Sequence, residues 1–317
     1  MVKELIDPEL LVEPEVNMDF DLWADLPTTR TLYNQMMRDR IADIPVREDV
    51  PFQDQDINGL DGDPRVKVRV YRPSRLQGPA PAILWIHGGG YFLGAIDSET
   101  PIMQTMADGV GCTIVSVEYR LAPEHPFPAP LNDCYATLKW MVENSGTLEI
   151  NPKKIAVVGI SAGGGLAAAL ALMVRERKEY SLVYQLLFCP MLDDRNDQPS
   201  THFELTGIAW DRDSNRKGWD AYLGEGDPES LPCYAVPARA EDLSGLPPAY
   251  IGVGSLDLFL DENILYARRL LEAGVPAELH IFPGGTHAFE FKVPGARVSK
   301  RAHTIYFDVL KHAFDID

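Results

Sequence analysis

The chain has 317 residues, 45% of them hydrophobic, which is enough to bury the core of one large α/β domain or two small ones. Its 47 acidic residues outnumber 29 lysines and arginines, and the formal net charge of -18 opposes binding to nucleic acid or to anionic membrane surfaces. The four cysteines (Cys112, Cys134, Cys189 and Cys233) are widely spaced, match no metal-ligand pattern and read as buried free thiols. No apolar run is long enough to cross a bilayer, and Met1–Glu9 holds no apolar signal core, so a cytoplasmic location is expected.

In residues 1–45, Leu22, Trp23, Leu26, Leu32, Tyr33, Met36, Met37 and Ile41 recur at rough three-to-four spacing between prolines. This predicts one or two amphipathic helices that pack on the rest of the chain, with the Met36–Met37 pair in the core. Val66, Val68 and Val70 alternate with polar residues, as in a half-buried antiparallel strand. Residues 82–86 are apolar without alternation, as in a central strand covered on both faces. They run into His87-Gly88-Gly89-Gly90-Tyr91. Three consecutive glycines are costly to order unless bare main chain must approach something closely, and an oxyanion hole is such a case.

A helix is expected over 102–110, a buried strand over 112–117, a proline-studded loop over 118–128 and a helix over 133–142. Asn151-Pro152 is read as a break before the next strand. That strand, near 154–158, leads through Gly159-Ile160-Ser161-Ala162-Gly163 into an alanine- and leucine-rich helix reaching about Arg175. Strand, sharp turn and helix around G-x-S-x-G is the context of a nucleophile elbow, which would place Ser161 at a helix N-terminus. A further strand is expected over 183–189. Residues 191–235 then break the strand–helix alternation and read as a polar, irregular insertion above the carboxyl ends of the strands. Its aromatics suit an apolar pocket or the packing of the insertion itself. Tyr91, Met191, Phe203 and Trp210 are the candidate substrate contacts. The alternation resumes with a strand over 248–254, a helix over 262–273 closed by Gly274, a strand over 277–282 and a final helix over 296–313.

A serine hydrolase needs a nucleophile, a histidine base, a carboxylate that orients the base, and donors for the oxyanion. Ser161, Asp257 and His287 follow predicted strands in the chain order serine, acid, histidine. Of the seven histidines, only His287 lies in a glycine-rich loop after the last strand. Asp261, four residues beyond Asp257, is the alternative acid or a cap of the helix that follows.

His87-Gly-Gly-Gly90, Tyr119-Arg-Leu-Ala-Pro-Glu124, Gly159-x-Ser161-Ala-Gly-Gly164, Asp257-x-x-x-Asp261-Glu262 and His287-x-Phe289 together resemble the hormone-sensitive-lipase-like esterases, also called bacterial family IV. The resemblance implies an α/β-hydrolase fold: a mostly parallel, doubly wound, eight-stranded sheet in a core of residues 46–190 and 236–317. A cap would come from residues 1–45 and the 191–235 insertion. It implies hydrolysis of short- to medium-chain carboxylic esters through an acyl-enzyme intermediate, with no metal or cofactor, and frequent homodimers. Gly88, Gly89 and Ala162 would supply the oxyanion N–H groups. Alternatives on the same scaffold are an amidase or arylformamidase, and a non-catalytic small-molecule binder of the gibberellin-receptor type, which lacks the triad histidine. Three positions depart from the pattern: Ile160 for the usual Asp, Leu258-Phe259 for Pro-Leu, and Ala288 for Gly. These are expected to tune rate and substrate choice.

Overall fold

Eight strands form one sheet in the order β1-β2-β4-β3-β5-β6-β7-β8: β1 Phe52–Ile57, β2 Val66–Tyr71, β3 Ala80–Ile86, β4 Thr113–Glu118, β5 Ile150–Ile160, β6 Tyr184–Phe188, β7 Ala249–Gly254 and β8 Ala277–Phe282. Only β1 and β2 pair antiparallel to their neighbours; β3 to β8 are parallel. The computed structural model describes residues 2–11, 23–203, 210–225 and 230–316; Leu22, one of the apolar positions singled out above, lies outside them.

The central strands carry apolar side chains on both faces because helices cover both. Ala82, Leu84 and Ile86 of β3 pack with α3 (Ala129–Glu143), α4 (Ala162–Arg177) and α6 (Leu260–Glu272). Ile83 and Trp85 pack with α2 (Thr100–Val110) and α8 (Arg297–Ala313) on the other face. Every residue of α4 from Ala162 to Val174 is buried, which explains why its sequence is apolar all round. Before the sheet, α1 (Leu26–Arg40) begins at Asp25, whose carboxylate accepts from Thr28 N at 3.2 Å.

Four expectations change. β1, with the sequence FQDQDI, was not foreseen: it is an edge strand exposed along most of its length and shows no apolar alternation. Asn151-Pro152 does not break the chain. β5 runs through it, and the pairing with β3 shifts register there, from Ala80↔Ile150 to Ala82↔Ile155, which accommodates a residue lacking an N–H. The insertion is not wholly irregular, because it contains α5 (Arg212–Leu223), capped by the Asp211 carboxylate on Ser214 N at 2.7 Å. Its buried positions Asn215, Gly218, Trp219 and Tyr222 follow helical spacing among polar neighbours. Among the cysteines, three are buried, whereas Cys233 is partly exposed.

The loop after β4 is braced from within. Asp133 of α3 is fully buried and accepts from Arg120 N at 2.8 Å and Arg120 Nη2 at 2.8 Å. The neighbouring Tyr119 hydroxyl donates to His87 O at 3.0 Å, so the brace reaches the glycine loop. Asp133→Ala would leave the Arg120 main-chain N–H and Nε without their acceptor, while the guanidinium keeps Asp63 at 2.9 Å, and we expect a loss of about 2 to 3 kcal/mol in urea unfolding. A value below about 1 kcal/mol would show that the brace contributes little.

Candidate active site

Ser161 sits between β5 and α4 with φ 56° and ψ −121°, a conformation non-glycine residues seldom adopt. Its N–H donates to Phe188 O at 2.9 Å, and its carbonyl accepts from Gly165 N and Met191 N, each at 3.0 Å. A Cβ at Gly159 would lie 2.2 Å from Gly163 O, and one at Gly163 would lie 2.2 Å from Ile86 O. The elbow therefore forms only where those two positions carry no side chain.

His287 follows β8 and reaches the elbow. Its Nε2 lies 2.9 Å from Ser161 Oγ, and its Nδ1 lies 2.9 Å from Asp257 Oδ2 and 3.1 Å from Asp257 Oδ1. Asp257 is fully buried, and its Oδ1 also accepts from Phe259 N at 2.9 Å. The Phe259 ring stands edge-on to the imidazole, centroids 5.1 Å apart, and restrains its tilt. Asp261, the alternative acid, is engaged elsewhere: its Oδ2 accepts from Ser200 N at 2.7 Å. Glu262 Oε1 accepts from Leu192 N at 2.7 Å. The last two acids of the Asp257–Glu262 motif thus tie α6 to the start of the insertion, a role not read from the sequence.

The glycine loop curls over the elbow. The N–H groups of Gly88, Gly89 and Ala162 meet no main-chain acceptor among the described residues, and Gly88 and Gly89 line the same cavity as Ser161 and His287. Gly89 has φ +120°, and a Cβ there would meet Leu93 O at 2.2 Å. His87 is buried, stacks on Tyr119 at 4.2 Å and places Nδ1 2.8 Å from Gly88 O. Burial lowers its pKa and keeps the ring neutral.

Residues 83–291 match the family described as alpha/beta hydrolase fold. The carboxylesterase NlhH of Mycobacterium tuberculosis is 39% identical over 248 residues, 75% of this chain and 76% of that protein. The arylesterase of Saccharolobus solfataricus is 32% identical over 264 residues, 80% of this chain and 81% of that one. Among solved structures, a bacterial heroin esterase superposes with a TM-score of 0.91 at 40% identity over 99% of both chains. The esterase LipW from Mycobacterium marinum gives a TM-score of 0.88 at 36% identity over 98% of this chain and 97% of that one.

The chain belongs to the α/β-hydrolase family. Within it, it is a carboxylic-ester hydrolase of the hormone-sensitive-lipase-like group. In this α/β-hydrolase the cavity beside Ser161 is walled by more than the insertion. Of the four candidate contacts, Trp210 lines it, whereas Tyr91, Met191 and Phe203 are not in its lining. The Tyr91 ring stacks on Tyr222 at 4.0 Å and its hydroxyl donates to Met191 O, so both residues are consumed in packing behind the glycine loop. Tyr33, Met37 and Ile41 of the N-terminal segment form another wall, so Met37 faces the cavity rather than the core. Arg30 holds α1 in place: its guanidinium pairs with both carboxylate oxygens of Glu124 at 2.7 and 2.8 Å and donates to Phe92 O at 2.9 Å. Glu99, Phe291 and Lys292 also line it and carried no distinguishing sequence signal.

One trio among the described residues has metal-ligand geometry: donor atoms of Cys189, Asp257 and His287 lie within 4.8 Å of one another. Two of these groups are already bonded in the Ser161–His287–Asp257 series. Burial pushes the Cys189 thiol far above its usual range, so a thiolate is not on offer. No helix among the described residues is long and apolar enough to cross a membrane.

Gly163→Ala would drive a methyl into Ile86 O. We expect it to lower stability by about 3 kcal/mol and to abolish ester turnover, read by thermal unfolding and a nitrophenyl ester assay. A stable, fully active variant would show that the elbow has room to give.

Proposed function

We propose that this enzyme hydrolyses short- to medium-chain carboxylic esters through an acyl-enzyme intermediate, with Ser161 as nucleophile, His287 as general base and Asp257 as the carboxylate that orients it. The observation that carries the reading is the unbroken series of contacts, 2.9 Å from Ser161 Oγ to His287 Nε2 and 2.9 Å from His287 Nδ1 to Asp257 Oδ2. His287 Nε2 takes the hydroxyl proton as Oγ attacks the ester carbonyl. Buried Asp257 stabilises the imidazolium that results. The oxyanion is held by the N–H groups of Gly88, Gly89 and Ala162, donors already in place before the charge develops. His287 returns its proton to the departing alkoxide. Water then attacks the acyl-serine and gives its proton to His287; the acyl C–Oγ bond breaks, His287 returns the proton to Ser161 Oγ, and the acid leaves.

In this reading the segment containing α1 and the 191–235 insertion act as a cap on the core of residues 46–190 and 236–317. Support comes from the Tyr33, Met37 and Trp210 side chains, which wall the cavity above residues contributed by the loops of the sheet. No cofactor enters any step. We further propose a cytoplasmic location, from the reduced cysteines and acidic composition, and a homodimer by likeness to the family.

Ser161→Ala should lower kcat on 4-nitrophenyl butyrate by roughly 10⁶-fold with an unchanged circular dichroism spectrum. Asp257→Asn should cost roughly 10⁴-fold. A fluorophosphonate should label the wild type at Ser161 and not the Ser161→Ala variant. Retained turnover in Ser161→Ala would overturn the assignment, and an unlabelled wild type would favour a non-catalytic binder. Faster cleavage of butyranilide than of the matched phenyl butyrate would move the reading to an amidase.

A further inference from the structure

The cavity beside Ser161 is lined chiefly by apolar side chains, among them Met37, Ile41, Ile102 and Phe291. Into this lining the start of α2 places Glu99. A glutamate in that position ordinarily serves its own helix, yet the Glu99 side chain makes no capping hydrogen bond. It turns instead to the fully buried Trp85, whose Nε1 donates to Glu99 Oε2 at 2.6 Å. Oε1 has no protein partner among the described residues. A buried indole N–H needs one acceptor, which a neutral amide or hydroxyl would supply without desolvating an acid. The second oxygen of Glu99 is therefore surplus to the packing, and it belongs to a residue that lines the substrate cavity.

We propose that Glu99 is a specificity-determining residue that selects esters carrying a hydroxyl group at a distance from the scissile carbonyl. A hydroxyl is both donor and acceptor, so it pairs with a carboxyl in either protonation state. Burial, reinforced by the negative charge of Glu118 and opposed by the Trp85 hydrogen bond, raises the Glu99 carboxyl to about 8. The neutral acid then dominates near pH 7. With Oε2 engaged as acceptor, its proton belongs on Oε1, where it can be offered to the hydroxyl of the substrate. A site built this way discriminates strongly, because a methyl in place of the hydroxyl leaves a buried polar group without a partner.

The test compares ethyl 6-hydroxyhexanoate with ethyl heptanoate, and 4-hydroxybutyl butyrate with pentyl butyrate. The members of each pair are equal in chain atoms, and released acid is titrated in a pH-stat at constant pH. The quantity read is the ratio of kcat/KM for the hydroxyl ester to that for the alkyl ester. Glu99→Met should lower this ratio at least tenfold in one of the two pairs, slowing the hydroxyl ester and speeding the alkyl ester. Glu99→Gln, which keeps a donor and an acceptor, should retain most of it. A change of less than tenfold in both pairs overturns the proposal. Should Glu99→Met fail to fold, the wild type still decides: a ratio below 0.1 in both pairs is what an apolar pocket gives and overturns it. The inference rests on the ester-hydrolase reading. Absence of turnover of all four esters by the wild type would defeat that reading, whereas normal turnover of the alkyl esters with an unchanged ratio would defeat only the role of Glu99.

Discussion

The conformation of a single residue, Ser161, constrains most of what surrounds it. A positive φ at a serine is unfavourable by about 1 to 2 kcal/mol and persists only where neighbouring structure enforces it. Here three main-chain hydrogen bonds do so, linking Ser161 to Phe188, Gly165 and Met191. The sharpness of the turn brings α4 so close to β3 that Gly163 lies against the carbonyls of Ile86 and His87. Those carbonyls begin the glycine loop, so the strain that lifts the hydroxyl also draws the bare amides of that loop toward it.

The departures from the family pattern have local consequences rather than disruptive ones. Ile160, where the family carries an acid, is an almost buried side chain in the wall of the cavity and close to Gly88. Leu258 stands where the pattern has its rigid proline, and the next residue, Phe259, sets its ring perpendicular to the imidazole that hydrogen-bonds Asp257. Ala288 has φ +55°, the left-handed region where glycine is at home, and the chain accepts that strain directly beside His287.

Much of this arrangement was legible before any coordinates, for physical reasons that differ by element. β3 and the elbow strand stand out because a strand covered on both faces has no polar alternation, and the glycines around Ser161 stand out because nothing larger fits. Ser161, Asp257 and His287 are readable from their order and from the strands they follow. The walls of the cavity are not. Met37 looks like any apolar residue of a helix packed on a core, and α1 turns that side chain toward the cavity through contacts distant in sequence, among them the Arg30–Glu124 pairing across 94 residues. Tyr91 and Met191 show the reverse: an aromatic and a thioether beside catalytic motifs suggest contacts, but each is consumed by packing that depends on the placement of Tyr222. β1 escaped because an edge strand answers to its partner β2 rather than to a core, with Asp54 pairing to Arg69 across the ladder.

The seat of Trp210 has a meaning beyond packing. Its indole lies where a Cβ on Gly90 would be, 2.0 Å from that position, and Gly218 of α5 rests near Gly90 O. A single glycine thus receives the insertion, and it lines the cavity together with its neighbours Gly88 and Gly89. The glycine loop and the insertion meet at this one spot. Descendants of such a protein can vary the sequence of the insertion around this contact only while the position that receives the indole stays without a side chain.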